Sequence, residues 1–226
     1  MAPLGAFEHC RRLVAESDKE RYWASLYAPA GRRDALYALY AFDHEISRVA
    51  SVVREPMAGE IRLQWWRDVV EGRRDEEALA NPVAAALLDV VSRDDVPVVR
   101  LAEAIEAHAD ALHEALSDIE TYGAATAGAI IALAARILGG DNAEAEHIAS
   151  HIGIALAYAQ AKQPQDARHH LDRARDLLPR LPADVLPALL PAAVIGPSRQ
   201  RETPLLLWRR QWLIWRAARN PERIFG

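Results

Sequence analysis

Apolar positions in this chain recur three and four residues apart, and the two-residue alternation of a half-buried strand is absent. The pattern predicts an all-α protein with about ten helices. Residues 8–16 form a short first helix, and Asp18 can cap a second that runs through Tyr22, Trp23 and Leu26 until Pro29-Ala30-Gly31 breaks it. A long helix over 32–53 carries Leu36, Leu39, Tyr40 and Ile46 on its apolar side. Pro56 starts the next, through Trp65 and Trp66 to near Gly72. Asn81 and Pro82 interrupt a helix within 75–92, and Pro97 opens one that runs to Leu116. Residues 118–138 follow, ended by Gly139-Gly140, with Gly123, Ala127 and Gly128 forming a small-residue face that lets a neighbour come close. Asn142 can cap a helix over 143–162, and 165–178 is short and very polar. Pro182, Pro187 and Pro191 space two short apolar turns, 195–203 is a linker, and Pro204 begins a final helix to Arg219.

No repeat or composition shift divides the chain, so residues 1–226 are expected to form one domain. Hydrophobic residues make up 51% of it, enough to bury a sizeable core. The net charge of −5 is too mild to predict disorder or a nucleic-acid partner. Cys10 is the only cysteine, which rules out an internal disulfide framework and a cysteine-rich zinc site. Residues 1–5 show no secretory leader. The weakly polar stretch 123–140 contains Thr126 and Arg136 and falls short of the ~20 strongly apolar residues of a spanning helix. The expectation is a soluble, cytoplasmic protein in a reducing compartment.

Helical proteins that bind diphosphates through magnesium need carboxylates at i and i+4, so that both face one cleft. Asp43 and Glu45 are two apart and point to different sides, and the positions four residues beyond them are Ser47 and Val49. They read as surface charges or single hydrogen-bond acceptors. His147 and His151 stand at i and i+4, the geometry of two metal ligands. Ile148 occupies the glutamate position of an HExxH motif, so packing histidines are the default there. His108 and His113 do not share a face, and His169-His170 falls in a polar segment expected at the surface. There is no GxSxG and no phosphate-cradling glycine loop, and Cys10 beside His9 has no supporting group. No catalytic residue and no metal site follows from these spacings.

The C-terminal segment is the most unusual. Trp208, Trp212 and Trp215 form one stripe at i, i+4 and i+7, flanked by Arg209, Arg210 and Arg216. From residue 199 onward seven arginines face two glutamates, a net +5 in a chain that totals −5. The first expectation is that the tryptophans close the end of the core, because solvent-facing Trp is costly. The alternative is an anionic membrane surface, on which a basic helix with a tryptophan stripe can lie.

Two regions carry more than composition. Residues 18–68 read DKERYWASLYAPAGRRDALYALYAFDHEISRVASVVREPMAGEIRLQWWRD and closely resemble the opening helices of the squalene/phytoene synthase family. YGAATAG at 122–128 and IASHIGIALA at 148–157 look like later helices of the same family. The resemblance implies a terpenoid-synthase-like helical bundle around a central cavity, shortened here in its C-terminal third. It also implies enzymes that join two prenyl diphosphates head to head, using Mg²⁺ held by two facing aspartate-rich motifs.

Carried across residue by residue, the first motif falls on Ser47 and Ser51, and His44 replaces the arginine before it. The second falls on Ala157, Gln160, Gln163, Pro164 and Arg168, with Asp166 out of register. Tyr40 and Tyr122 match cavity tyrosines. By resemblance, then, Tyr40, His44, Ser47, Ser51, Tyr122, Ala157 and Gln160 are the substrate-contact positions. Magnesium is left without carboxylates, and neutral hydroxyls do not balance a divalent ion.

The preferred expectation is therefore a catalytically degenerate, non-enzymatic assembly or binding factor. It resembles the branch of the family that includes a mitochondrial complex I assembly factor, and is expected at the edge of the inner membrane with a protein partner or an apolar isoprenoid or lipid ligand. The alternative is an active prenyl transferase on farnesyl or geranylgeranyl diphosphate, making phytoene, squalene or a related isoprenoid. Its Mg²⁺ would be held by Asp43, Glu45 and Asp166 converging on one cleft.

Overall fold

The computed structural model describes residues 3, 5–53, 55–113, 118–139, 143–196 and 205–225. Among them there is no strand. The order is α1 (Ala6–Ser17), α2 (Lys19–Ser25), α3 (Ala30–Ser47), α4 (Val49–Val52), α5 (Pro56–Val70), α6 (Asp75–Ala80), α7 (Pro82–Arg93) and α8 (Val98–Asp110). Then come α9 (Ile119–Gly123), a π-helical turn (Ala124–Gly128), α10 (Ala129–Ile137), α11 (Ala143–Gln160), α12 (Pro164–Leu177), α13 (Leu186–Leu189) and α14 (Leu207–Arg219).

Local chemistry sets most of these ends. The Asp18 carboxylate accepts from the Arg21 backbone N–H at 3.0 Å and starts α2. The Asn81 side chain accepts from the N–H groups of Val83 at 2.9 Å and Ala84 at 3.1 Å, and Pro82 at the first helical position needs no such partner. Asp118 caps α9 through Thr121. Gly139 leaves α10 at φ +95°, a left-handed conformation that a side chain would resist.

The long helix expected over 32–53 instead ends at Ser47, and α4 resumes after Arg48. Ser47 and Ser51 hydroxyls donate to the carbonyls of His44 (3.4 Å) and Arg48 (2.7 Å), competing with the helical ladder at this point. The helix that starts at Val98 stops at Asp110, earlier than the expected Leu116. Leu116, Gly140, Asn142 and Pro204 lie outside the described residues.

Two apolar clusters form the interior. One joins α1, α3, α5, α7, α8 and α10, with Leu36, Leu39, Leu87 and Ile105 buried and Phe42 packed edge-on to Trp66 at 5.3 Å. The other gathers Ile148 and Ile152 of α11, Leu171 of α12, Leu190, and Leu213 and Ile214 of α14. The small face of 123–128 meets α11, where a Cβ on Gly153 would fall 2.2 Å from Gly128 N and 2.3 Å from the Gly123 carbonyl oxygen.

The tryptophan stripe does not close the core. Helix α14 buries Leu213, Ile214 and Ala217, which fall on the opposite side of the helix, and so turns Trp208, Trp212 and Trp215 outward at 64, 46 and 45% exposure.

Candidate functional site

A cavity of about 460 Å³ opens between the two clusters. Helix α3 presents Asp43 and Ser47 to it, one helical turn apart; α2 supplies Asp18, Glu20 and Arg21. His108 enters from α8, Tyr122 from α9 and Thr126 from the π turn. Helix α11 contributes Leu156, Ala157 and Gln160 to the wall, and Arg210 of α14 stands at its rim.

The close approach of Gly153 to Gly128 brings α11 near enough for its wall to face α3. The π turn in the same place shifts Tyr122 and Thr126 against the α-helical register; such turns recur at functional sites. Thr126 is buried and its hydroxyl donates to the Tyr122 carbonyl at 2.7 Å.

Each carboxylate on this wall already has a cation. Asp43 is buried and accepts from the Arg21 guanidinium. The Tyr40 ring lies under the same guanidinium, 5.0 Å from ring centre to Cζ. Asp18 approaches Arg21 Nε at 3.6 Å, and Glu20 pairs with Arg210. Burial works against the charge on Arg21, but Asp43 and Asp18 outweigh it and hold the guanidinium firmly protonated. Burial pushes the Glu20 carboxyl above the usual range, against the pull of Arg210.

The opposite wall is neutral. Tyr122 Oη and His108 Nδ1 lie 3.3 Å apart with the rings edge to face. Burial lowers the His108 pKa and raises that of the Tyr122 phenol. His108 Nε2 is buried with no hydrogen-bond partner among the described residues.

Of the positions implied by resemblance, the structure gathers Ser47, Tyr122, Ala157 and Gln160 on the cavity, with Tyr40 beneath Arg21. His44 is not on the wall, because one residue along α3 from Asp43 turns it about 100° away. Ser51 is not there either; the break at Arg48 takes α4 out of the α3 register, and Ser51 is exposed. Nor do Asp43, Glu45 and Asp166 converge. Glu45 turns to Arg48 at 3.5 Å and Asp166 is exposed on α12, so Asp43 alone of the three faces the cavity. The reading of Asp43 as a surface charge gives way to that of a buried single-partner acceptor.

Arg21 and His108 were missed by motif reading, although helical spacing carries a signal for both. His108 continues the buried stripe of Leu101, Ala104 and Ile105, and Arg21 shares a face with buried Ala24 and Ser25.

The other histidines pair across helices rather than along one. His151 Nδ1 lies 3.1 Å from Nδ1 of His170, whose Nε2 is 3.6 Å from Glu120; Tyr158 donates to Glu120 at 3.1 Å. His147 is exposed, and His170 is buried rather than at the surface, because α12 packs that edge on α11.

Magnesium takes hard oxygen ligands in near-octahedral geometry, usually with carboxylates it does not share with arginine. Here Arg21 is shared by Asp43 and Asp18, Arg210 pairs with Glu20, and Ser47 is uncharged. Among the described residues no three His, Cys, Asp or Glu side chains come together to hold a metal ion. The described residues that line the cavity do not fit a magnesium cluster.

Residues 14–163 match the sequence model of squalene/phytoene synthase. The human protein named NADH dehydrogenase (ubiquinone) complex I, assembly factor 6 is 31% identical over 155 residues, 67% of this chain and 46% of its own length. The Drosophila melanogaster homolog of that factor is 30% identical over 161 residues, 67% of this chain and 48% of its own length. The chain thus spans about half the length of these curated relatives.

The fold is that of solved squalene-type synthases. Squalene synthase HpnC from Alicyclobacillus acidocaldarius superposes with TM-score 0.68 at 16% identity, covering 95% of this chain and 94% of that one. A dehydrosqualene synthase crystallised with ligand gives TM-score 0.68 at 13% identity, covering 96% of each. On the length of the match and the helical architecture it shares, the chain belongs to the squalene/phytoene synthase family.

Proposed function

We propose that this chain is a non-catalytic member of its family, acting as an assembly factor for a respiratory NADH dehydrogenase. The observation that carries the reading is the Arg21–Asp43 pair. On the helix that should offer magnesium its first carboxylates, the one that faces the cavity is held by a guanidinium. With Asp18, Glu20 and Asp43 against Arg21 and Arg210, the described wall has no surplus positive charge to receive a diphosphate. The name carried by the curated relatives supports the assembly role.

No helix among the described residues is long and apolar enough to cross a membrane. The outward tryptophans of α14 and the arginines beside them support peripheral attachment at the inner membrane. The cavity, with Leu156, Val194 and Ile195 on its wall, has room for a neutral apolar ligand or for a side chain of the protein partner.

Removing the chain from its cell tests the role. Assembled NADH dehydrogenase, read on native gels, should fall, and the cellular content of squalene and phytoene should stay unchanged. Unchanged NADH dehydrogenase with loss of an isoprenoid product would contradict the proposal.

A further inference from the structure

A second and larger depression, about 910 Å³, runs between α12 and α14 and shares only Ile195 with the lining of the first cavity. Its rim carries Arg168 and Arg175 from α12 and Arg209 and Arg216 from α14, against Asp172 as the one acidic side chain among the described residues lining it. Its floor is apolar, built from Leu171, Leu213, Ile224 and Phe225. Arg175 donates to Asp172 at 2.7 Å and to the Phe225 carbonyl, which fixes one wall of the groove.

Trp212 belongs both to this groove and to the exposed stripe of Trp208 and Trp215, and Leu206 and Leu207 are exposed at the start of the same helix. Arg216 stacks on Trp212 and Arg219 on Trp215, each 5.0 Å from the ring centre. Guanidiniums parked on aromatic rings at the edge of an apolar surface suit the boundary between headgroups and acyl chains.

We propose that the α12/α14 groove seats the headgroup phosphate of an anionic phospholipid, with the start of an acyl chain on its apolar floor. The excess of guanidinium over carboxylate selects an anion, and the bidentate geometry of arginine suits a phosphate. The apolar floor and the adjoining tryptophans select an amphiphile over an acidic protein segment, which would have no use for exposed Leu206, Leu207 and Trp208. This inference rests on the reading that the α14 face meets a bilayer.

Flotation of the full chain with phosphatidylcholine vesicles, with and without phosphatidylglycerol, tests it. The chain should bind anionic vesicles much more tightly than neutral ones. R168E combined with R209E should weaken anionic binding by about tenfold or more, while R62E, a charge reversal on α5 outside the groove, should change it little. Circular dichroism confirms that each variant is helical.

Equal binding to neutral and anionic vesicles would overturn the headgroup site and leave membrane attachment standing. So would undiminished anionic binding by R168E/R209E alongside its loss in W208A. Binding to neither vesicle would overturn both, and would point to a protein surface as the occupant.

Discussion

Asp43 and Arg21 come from different helices and meet inside the cavity with their side chains 11% and 14% exposed. The pair ties up the carboxylate of α3 that faces the cavity, and it explains how that carboxylate can stand buried there. Replacing Asp43 alone leaves the buried guanidinium over the Tyr40 ring with only its longer contact to Asp18. D43N should therefore cost about 3–5 kcal/mol of stability in urea unfolding. The double variant R21M/D43L, which removes both charges, should recover most of that loss; equal losses in the single and double variants would mean that the pair matters only as volume.

The contact of α11 with the turn at 123–128 predicts opposite outcomes for two glycines. G153A places a methyl carbon 2.2 Å from backbone nitrogen, which no side-chain movement relieves, and should destabilise by about 2–3 kcal/mol or more. Gly31, in the first turn of α3, has open space where its Cβ would be. G31A should stabilise by about 0.5–1 kcal/mol. Thermal melts of the two variants check both signs.

His108, His151 and His170 all have pKa values below the ordinary 6.5, chiefly because burial disfavours the imidazolium. A base whose pKa is depressed by folding binds its proton more readily when unfolded. Stability should be full above pH 6.5 and fall as pH drops through the lowered folded values. H151Q should make the fall shallower by removing one of the three groups. A melting temperature independent of pH between 7 and 5 would contradict this.

The cap at Asn81 holds two donors, so N81A should cost about 1 kcal/mol. Trp208 is largely in solvent, and W208A should change unfolding free energy by no more than about 0.5 kcal/mol. A large loss in W208A would mean that the tryptophan is part of the fold after all.

Features that depend on local chemistry were legible in the sequence. Asp18, Asn81 and Asp118 stand where helices start, and the Gly123/Gly128 face announced a close helix neighbour. The identity of that neighbour, Gly153, depends on tertiary packing and was not. The same holds for Arg21 and Asp43, which are 22 positions apart and meet only when α2 folds against α3. The tryptophan stripe has the apolar spacing of an inward face, but Leu213, Ile214 and Ala217 form a second, smaller one that packing prefers. His170 went inward because α12, polar in composition, still has one narrow buried edge with Ala167, Leu171 and Ala174.

The proposed non-catalytic role turns on Arg21 holding the α3 carboxylate that faces the cavity. The most direct measurement is release of pyrophosphate from farnesyl and geranylgeranyl diphosphate by the purified chain, with and without Mg²⁺. Release at the background rate is expected in both conditions. Magnesium-dependent release that D43N abolishes would contradict it.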